Sequence, residues 1–89
     1  MNKMRRKELM EWVKMAEEWA TDGEEIKCEL ESICYEEEDY FDNMPENLQG
    51  STRGIQSEQA VDSMDDAVSC IDDAIGSINK AIKNITKIL

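Results

Sequence analysis

Histidine is absent from this sequence, so the usual building blocks of catalytic and metal sites are few. Its absence excludes serine–histidine and cysteine–histidine nucleophile pairs and histidine metal sites. Acidic runs at 36–39, 65–66 and 72–73 lack the loop spacing of a calcium-binding EF-hand. We therefore expect no catalytic residues, no metal, no cofactor and no enzymatic activity.

Basic residues are also scarce. Ten lysines and arginines stand against 21 acidic residues, which gives a net charge of −11. Residues 1–14 and 79–89 each carry a net +3, whereas 15–78 holds nineteen acids and two basic residues, a net −17. DNA, RNA and anionic lipid all attract positive surfaces. We expect no direct nucleic-acid or membrane partner.

Long apolar runs are missing, and the three cysteines, Cys28, Cys34 and Cys70, form no CxxC pair. The basic start of the chain leads into acidic residues rather than into the apolar core of a signal peptide. An odd number of cysteines argues against a disulfide framework. These features predict reduced thiols, no membrane span and a cytoplasmic location.

Two series of apolar residues, spaced alternately three and four apart, predict two long amphipathic helices. In the second half, four alanines seven residues apart flank the apolar series. The first series is Leu9, Trp12, Ala16, Trp19, Gly23, Ile26, Leu30, Ile33, Glu37 and Tyr40; the second is Val61, Met64, Val68, Ile71, Ile75, Ile78, Ile82, Ile85 and Leu89, with Ala60, Ala67, Ala74 and Ala81 beside it. We expect Trp12 and Trp19 to fill a core, and Gly23 to let a facing helix approach closely.

These series predict one all-α domain over residues 1–89, with helices at 3–41 and 54–88 joined by a loop at 42–53. Asn43 is expected to end the first helix in the left-handed conformation, with Pro45 preventing its continuation. A short loop makes the helices antiparallel neighbours, so the fold class is a coiled-coil-like two-helix hairpin. Both apolar stripes are wider than one helix contact needs, which predicts a homo-oligomer, a dimer or higher, that forms a helical bundle.

The loop carries the residues that favour a small ligand. Arg53, Ser51, Thr52 and Gln49 lie at the start of a long helix, where backbone N–H groups attract anions. Tyr40 and Phe41 are near enough along the chain to stack on a base. The alternative interpretation is an ordinary capping loop in which Arg53 pairs with the surrounding carboxylates.

An acidic surface offers a second kind of site. Asp65, Asp66, Asp72 and Asp73 could present negative charge to the basic nucleic-acid groove of a host protein. An ordinary solvated helix face has the same composition. The sequence leaves open whether the loop or this surface is functional.

Residues 39–54, DYFDNMPENLQGSTRG, resemble a group of small acidic helical proteins of phages and prophages, mostly from Gram-positive hosts. The resemblance implies an accessory phage protein in a bacterial cytoplasm that acts by binding. Counter-defence by sequestering a host immune nucleotide signal is the first functional hypothesis. An inhibitor of a host defence effector, such as a CRISPR or other nuclease, is the second, and a structural or regulatory phage protein is the third.

Overall fold

The structure is a computed structural model that describes all 89 residues, and it consists of three helices without strands. The long helices α1 (Lys3–Asp42) and α3 (Thr52–Thr86) pack against each other, and the single turn α2 (Glu46–Gln49) lies between them in sequence. The molecule is a rod measuring 68 × 15 × 15 Å. The predicted all-α hairpin is confirmed. Helix α3 begins and ends two residues earlier than expected.

Helix α1 begins at a side-chain cap and ends without a left-handed residue. The Asn2 side chain accepts a hydrogen bond from the Arg5 backbone N–H at 2.8 Å, which satisfies one of the free donors of the first turn. At the other end Asn43 has a right-handed backbone, with φ −84° and ψ −5°. The expected left-handed cap is therefore wrong, because the chain continues into α2 through a right-handed turn instead.

The turn depends on a close approach of backbone to backbone at Gly54. A Cβ atom at this position would overlap the carbonyl group of Gln49, so only glycine fits here. Ser51 caps α3 by accepting a hydrogen bond from the Gly54 N–H at 3.3 Å. Together these contacts fold α2 against the start of α3.

The α3 side of the helix contact follows the predicted series, since Val61, Met64, Val68, Ile71, Ile75, Ile78, Ile82, Ile85 and Leu89 are all buried or half-buried. Opposite them, Gly23 removes a side chain from the middle of α1. A Cβ atom on Gly23 would stand 3.1 Å from Ile75 Cγ1, so Ile75 fills the space that a side chain at position 23 would need. The predicted close approach at Gly23 is confirmed.

The α1 side of the contact differs from the prediction. The residues that face α3 repeat in steps of four and three, and they are Leu9, Val13, Ala16, Ala20, Gly23, Lys27, Leu30, Cys34, Glu37 and Phe41. Trp19, Ile26, Ile33 and Tyr40 are instead 49%, 55%, 54% and 47% exposed, and Trp12 is half-buried. The prediction holds for Leu9, Ala16, Gly23, Leu30 and Glu37 of the first series, whereas placing Trp19, Ile26, Ile33 and Tyr40 in the hairpin contact was wrong. We call Trp12, Trp19, Ile26, Ile33 and Tyr40 the α1 ridge.

The hairpin has little interior. Ala16, Cys34 and Ile75 are its only buried hydrophobic residues, and no large side chain is completely enclosed. Ser57 is 3% exposed, and its hydroxyl has no hydrogen-bond partner. None of the three helices has an apolar stretch that could cross a bilayer.

Candidate functional site

An open cavity of about 720 Å³ lies at the turn end of the rod. The last turns of α1 form one wall, and the segment from Asn43 to Arg53 forms the other. Its nine lining residues are Glu36, Asp39, Tyr40, Asn43, Met44, Pro45, Leu48, Ser51 and Arg53. The cavity therefore combines a cation, two carboxylates, an aromatic ring and several apolar groups within a single concave surface.

Three of the predicted ligand residues, Arg53, Ser51 and Tyr40, line this cavity. The Arg53 guanidinium group makes no ion pair, and no side-chain hydrogen bond engages it. It is also the only basic residue between 28 and 79. A guanidinium group presents five donors in a planar fork suited to phosphate or carboxylate. These donors are free for a ligand.

The other three predicted ligand residues lie outside the cavity lining. The Gln49 side-chain amide donates hydrogen bonds to the Phe41 carbonyl at 3.2 Å and to the Met44 carbonyl at 3.3 Å. Gln49 thus satisfies carbonyl groups at the end of α1, which is a structural role. Phe41 is half-buried on the α1 row that faces α3, and Thr52 is an exposed first residue of α3.

Sequence reasoning missed the acidic wall of the cavity. Glu36, Asp39, Tyr40 and Asn43 are spaced three, one and three residues apart, so they share one face of α1. This pattern was hidden because Glu36 and Asp39 belong to the acidic run 36–39, most of whose members are exposed to solvent. Two carboxylates beside Arg53 mean that the cavity suits a ligand carrying hydrogen-bond donors as well as an anionic group.

The four predicted acidic partner residues divide into two pairs. Asp72 accepts a hydrogen bond from Lys27 Nζ at 2.9 Å, and Asp65 accepts one from the Cys34 thiol at 3.4 Å. Asp66 and Asp73 are exposed and make no ion pair. Two of the four carboxylates therefore serve the hairpin itself, and two are free.

Both internal contacts change the titration of the donor. The hydrogen bond to Asp72 raises the pKa of Lys27, and the nearby Asp72, Glu24 and Glu31 charges add to the increase against a smaller opposing effect of desolvation. Burial raises the pKa of the Cys34 thiol, and the hydrogen bond to Asp65 raises it further. Cys34 is consequently a protonated donor inside the helix contact rather than a nucleophile.

No set of three or more acidic or cysteine side chains is arranged to hold a metal ion. At the opposite end of the rod, Met1, Met4, Met10 and Met15 are 55–72% exposed around the basic start of α1. The cavity at this end is lined by α1 alone, through Lys3, Met4, Arg6, Lys7 and Met10. The turn cavity is therefore the better candidate for a small-ligand site.

Comparison with known families, curated proteins and solved structures assigns no function to this chain. No protein-family model matches it, and neither a curated protein nor a solved structure does. The functional argument therefore depends on the chemistry of the hairpin.

Proposed function

We propose that this protein is a non-enzymatic binding protein that sequesters a nucleotide in the turn cavity. The observation that carries the proposal is the free Arg53 guanidinium group in the same cavity as Tyr40. An arginine and an aromatic ring within one concavity match the two parts of a nucleotide, its phosphate and its base.

Each part of the cavity has a complementary group on such a ligand. Arg53 and the adjacent N-terminus of α3 would hold a phosphate, because both present N–H donors to an anion. Tyr40 would stack on the base. Glu36 and Asp39 would accept hydrogen bonds from ribose hydroxyls or a base amino group, and they select against simple anions that have no donors.

The resemblance of residues 39–54 to phage accessory proteins supports a role in counter-defence. A protein that binds a nucleotide without converting it lowers the free concentration of that signal. We therefore propose a host immune nucleotide as the ligand, and removal of that signal from its receptor as the mechanism.

Isothermal titration calorimetry with a panel of cyclic and linear nucleotides tests this function. We expect one or more nucleotides to bind the wild type, and Arg53→Ala to weaken binding about ten- to a hundredfold, since a charged hydrogen bond contributes roughly 1.5–3 kcal/mol. Lys80→Ala is the matched control, because it removes the same charge from an exposed position near the other end of α3. Absence of binding by the wild type across the panel would overturn the proposal.

A second candidate function is inhibition of a host defence nuclease. It is favoured by the acidic surface, most of whose carboxylates make no ion pair. Lys27 is the only cation that pairs with any carboxylate of the hairpin, so Asp66 and Asp73 are free to contact a basic groove. Reversing these two residues to lysine should then weaken inhibition of a CRISPR or other nuclease, and the effect should shrink at high salt. Under the nucleotide hypothesis the same reversals leave nucleotide affinity unchanged or slightly improved.

A further inference from the structure

The α1 ridge lies on a side of the hairpin that has no intramolecular partner. Its members from Trp19 onward are about half exposed, although tryptophan, isoleucine and tyrosine each expose a large apolar surface to water. The ridge extends over four heptads, about 42 Å at 1.5 Å per residue, so it follows most of the rod. Isolated apolar residues on a surface are ordinary, but a continuous ridge of this length marks a contact surface.

The alanine series of α3, comprising Ala60, Ala67, Ala74 and Ala81, lies on the same side as the α1 ridge. Lys27 with Asp72 and Cys34 with Asp65 define the other side of the helix contact. Ile26 and Ile33, each one position before Lys27 and Cys34, lie on the opposite side of the helix contact from these two ionic and thiol contacts. The alanines of α3 lie on that same opposite side. Ridge and alanines therefore form one face, which we call the open face.

From Ala60 onward, the open face carries no charge on its α3 half. Beside the alanines runs a row of small or uncharged polar residues, Gln56, Ser63, Cys70, Ser77 and Asn84. Apart from Arg53 in the first turn, every acidic and basic residue of α3 lies on other rows of the helix. Such segregation is typical of a surface that contacts protein, since a solvated face of a chain with 35% charged residues would carry charge.

The accessible surface area of the chain exceeds that of a globular monomer of the same mass. The accessible surface is 6824 Å² for 10.2 kDa, whereas globular monomers of that mass expose about 5,300 Å² by the usual size scaling. The difference, about 1,500 Å², is larger than the roughly 800 Å² that each partner contributes to a standard interface. A second copy covering the open face would remove an area of this order.

We infer that the open face binds the open face of a second copy, with the two rods side by side and their turns at the same end. A two-fold axis along the rods then places the α1 ridge of each copy over the alanines of the other. The ridge residues Trp19, Ile26 and Ile33 then lie beside Ala81, Ala74 and Ala67 of the facing helix, so large side chains meet small ones. The result is a four-helix bundle in which every neighbouring pair of helices is antiparallel.

Local contacts between like charges, rather than the overall charge distribution, favour this arrangement over the reversed one. If the rods ran in opposite directions, α1 would pack on its own copy, and Asp22 would lie opposite Glu29 of the second copy in the middle of the contact. With the turns together, the row of Asp22, Glu29 and Glu36 faces Ser77, Cys70 and Ser63 instead, and no like charges meet there. The long-range repulsion between the two acidic ends is reduced by salt, because the Debye length is about 8–10 Å.

This pairing connects the open face to the turn cavity. Tyr40 is both the last member of the α1 ridge and a lining residue of the cavity. The second copy therefore contributes the start of its α3, near Gln56 and Ala60, beside Tyr40. Two cavities would lie at one end of the bundle, each completed by the other chain, whatever ligand they bind.

Disulfide cross-linking tests the arrangement with residues that the chain already supplies. Glu29 and Cys70 should face each other across the pair, whereas Cys28, one residue away, points to the far side of α1. We expect oxidation of the variant with Cys28→Ser and Glu29→Cys to give a covalent dimer in which peptide mapping finds residue 29 joined to residue 70. The wild type, with Cys28 and Cys70, and the single variant Cys28→Ser should give none.

The reversed arrangement predicts the opposite pattern, because it brings the two copies of Cys70 near the two-fold axis. A Cys70–Cys70 disulfide in the Cys28→Ser variant would overturn the proposal. So would the absence of any 29–70 link under conditions in which both thiols react with maleimide.

A pair of charge substitutions tests the face independently. Ile33 lies on the open face and Tyr35 on the far side of the same helix, with exposed fractions of 54% and 71%. Ile33→Glu should raise the dimer dissociation constant at least about a hundredfold in sedimentation equilibrium, because it buries a charge among apolar groups. Tyr35→Glu should change it by less than about threefold. Equal effects of the two substitutions, or a wild type that sediments as a monomer at micromolar concentration, would contradict the inference.

Discussion

Two glycines in the middle of long helices allow the helix contact to be tested against a matched control. Gly23 of α1 faces Ile75, and Gly76 of α3 has nothing within 4 Å of where its Cβ atom would be. Glycine costs a helix interior about 1 kcal/mol relative to alanine. Replacing glycine by alanine therefore increases the helix propensity equally at the two positions, but it changes the packing only at Gly23.

The packing cost at Gly23 follows from the geometry. The new Cβ would stand 3.1 Å from Ile75 Cγ1 and 3.4 Å from its Cδ1, and Ile75 is only 5% exposed, so it has little room to move. Overpacking of this kind costs about 1–3 kcal/mol. We expect Gly76→Ala to raise the free energy of unfolding by about 1 kcal/mol, and Gly23→Ala to leave it unchanged or to lower it by up to about 2 kcal/mol.

Thermal unfolding followed by circular dichroism at one fixed protein concentration measures both variants. A change of 1 kcal/mol corresponds to about 4–8 °C for a domain of this size, so the two melting temperatures should be separated by at least that interval. Equal stabilisation by both substitutions would show that α1 and α3 are not in close contact at Gly23, and the observed helix pairing would then be refuted.

Further substitutions and reactions probe other parts of the structure. Ser57→Ala should raise the free energy of unfolding in urea by about 1 kcal/mol, because it removes a buried hydroxyl that has no partner; a loss of stability would mean that this hydroxyl is hydrogen-bonded. The Cys34 thiol should react with iodoacetamide more slowly than the Cys28 thiol, and equal rates would contradict the burial of Cys34. Because folding raises the pKa of the Cys34 thiol, the stability that this group contributes should be fully present below the ordinary thiol pKa and should be lost as the pH rises from there through the raised pKa. Ala74→Leu should weaken self-association, since this exposed alanine lies on the open face, and a tighter dimer would exclude close packing there.

The hairpin fold could be predicted from the sequence because only one row of apolar residues on α3 is suited to face the other helix. The spacing of α1 has two. Its row of Val13, Ala20, Lys27, Cys34 and Phe41 is less apolar than the α1 ridge, so ranking by hydrophobicity selects the ridge as the hairpin contact. Lys27 can occupy the real contact because its ammonium group reaches Asp72 at the edge, which no single-helix pattern reveals.

The candidate site could be predicted only in part, for a similar reason. Arg53 and Tyr40 have evident ligand chemistry, and the turn brings them together. Gln49 has equally suitable chemistry, but its amide caps the end of α1, and that choice depends on the three-dimensional course of the turn. Glu36 and Asp39 were hidden within the acidic run 36–39, in which Glu37 faces α3 and Glu38 is exposed to solvent.

Native mass spectrometry of the purified chain with the nucleotide panel tests the central claim most directly, which is that the protein works as a pair of hairpins carrying ligand cavities. The account predicts a species of twice the 10.2 kDa chain mass that takes up nucleotide, with up to one molecule per chain. It also predicts that Arg53→Ala keeps the dimer mass and loses the added ligand. A monomer at micromolar concentration, or a dimer to which none of the nucleotides binds, would contradict it.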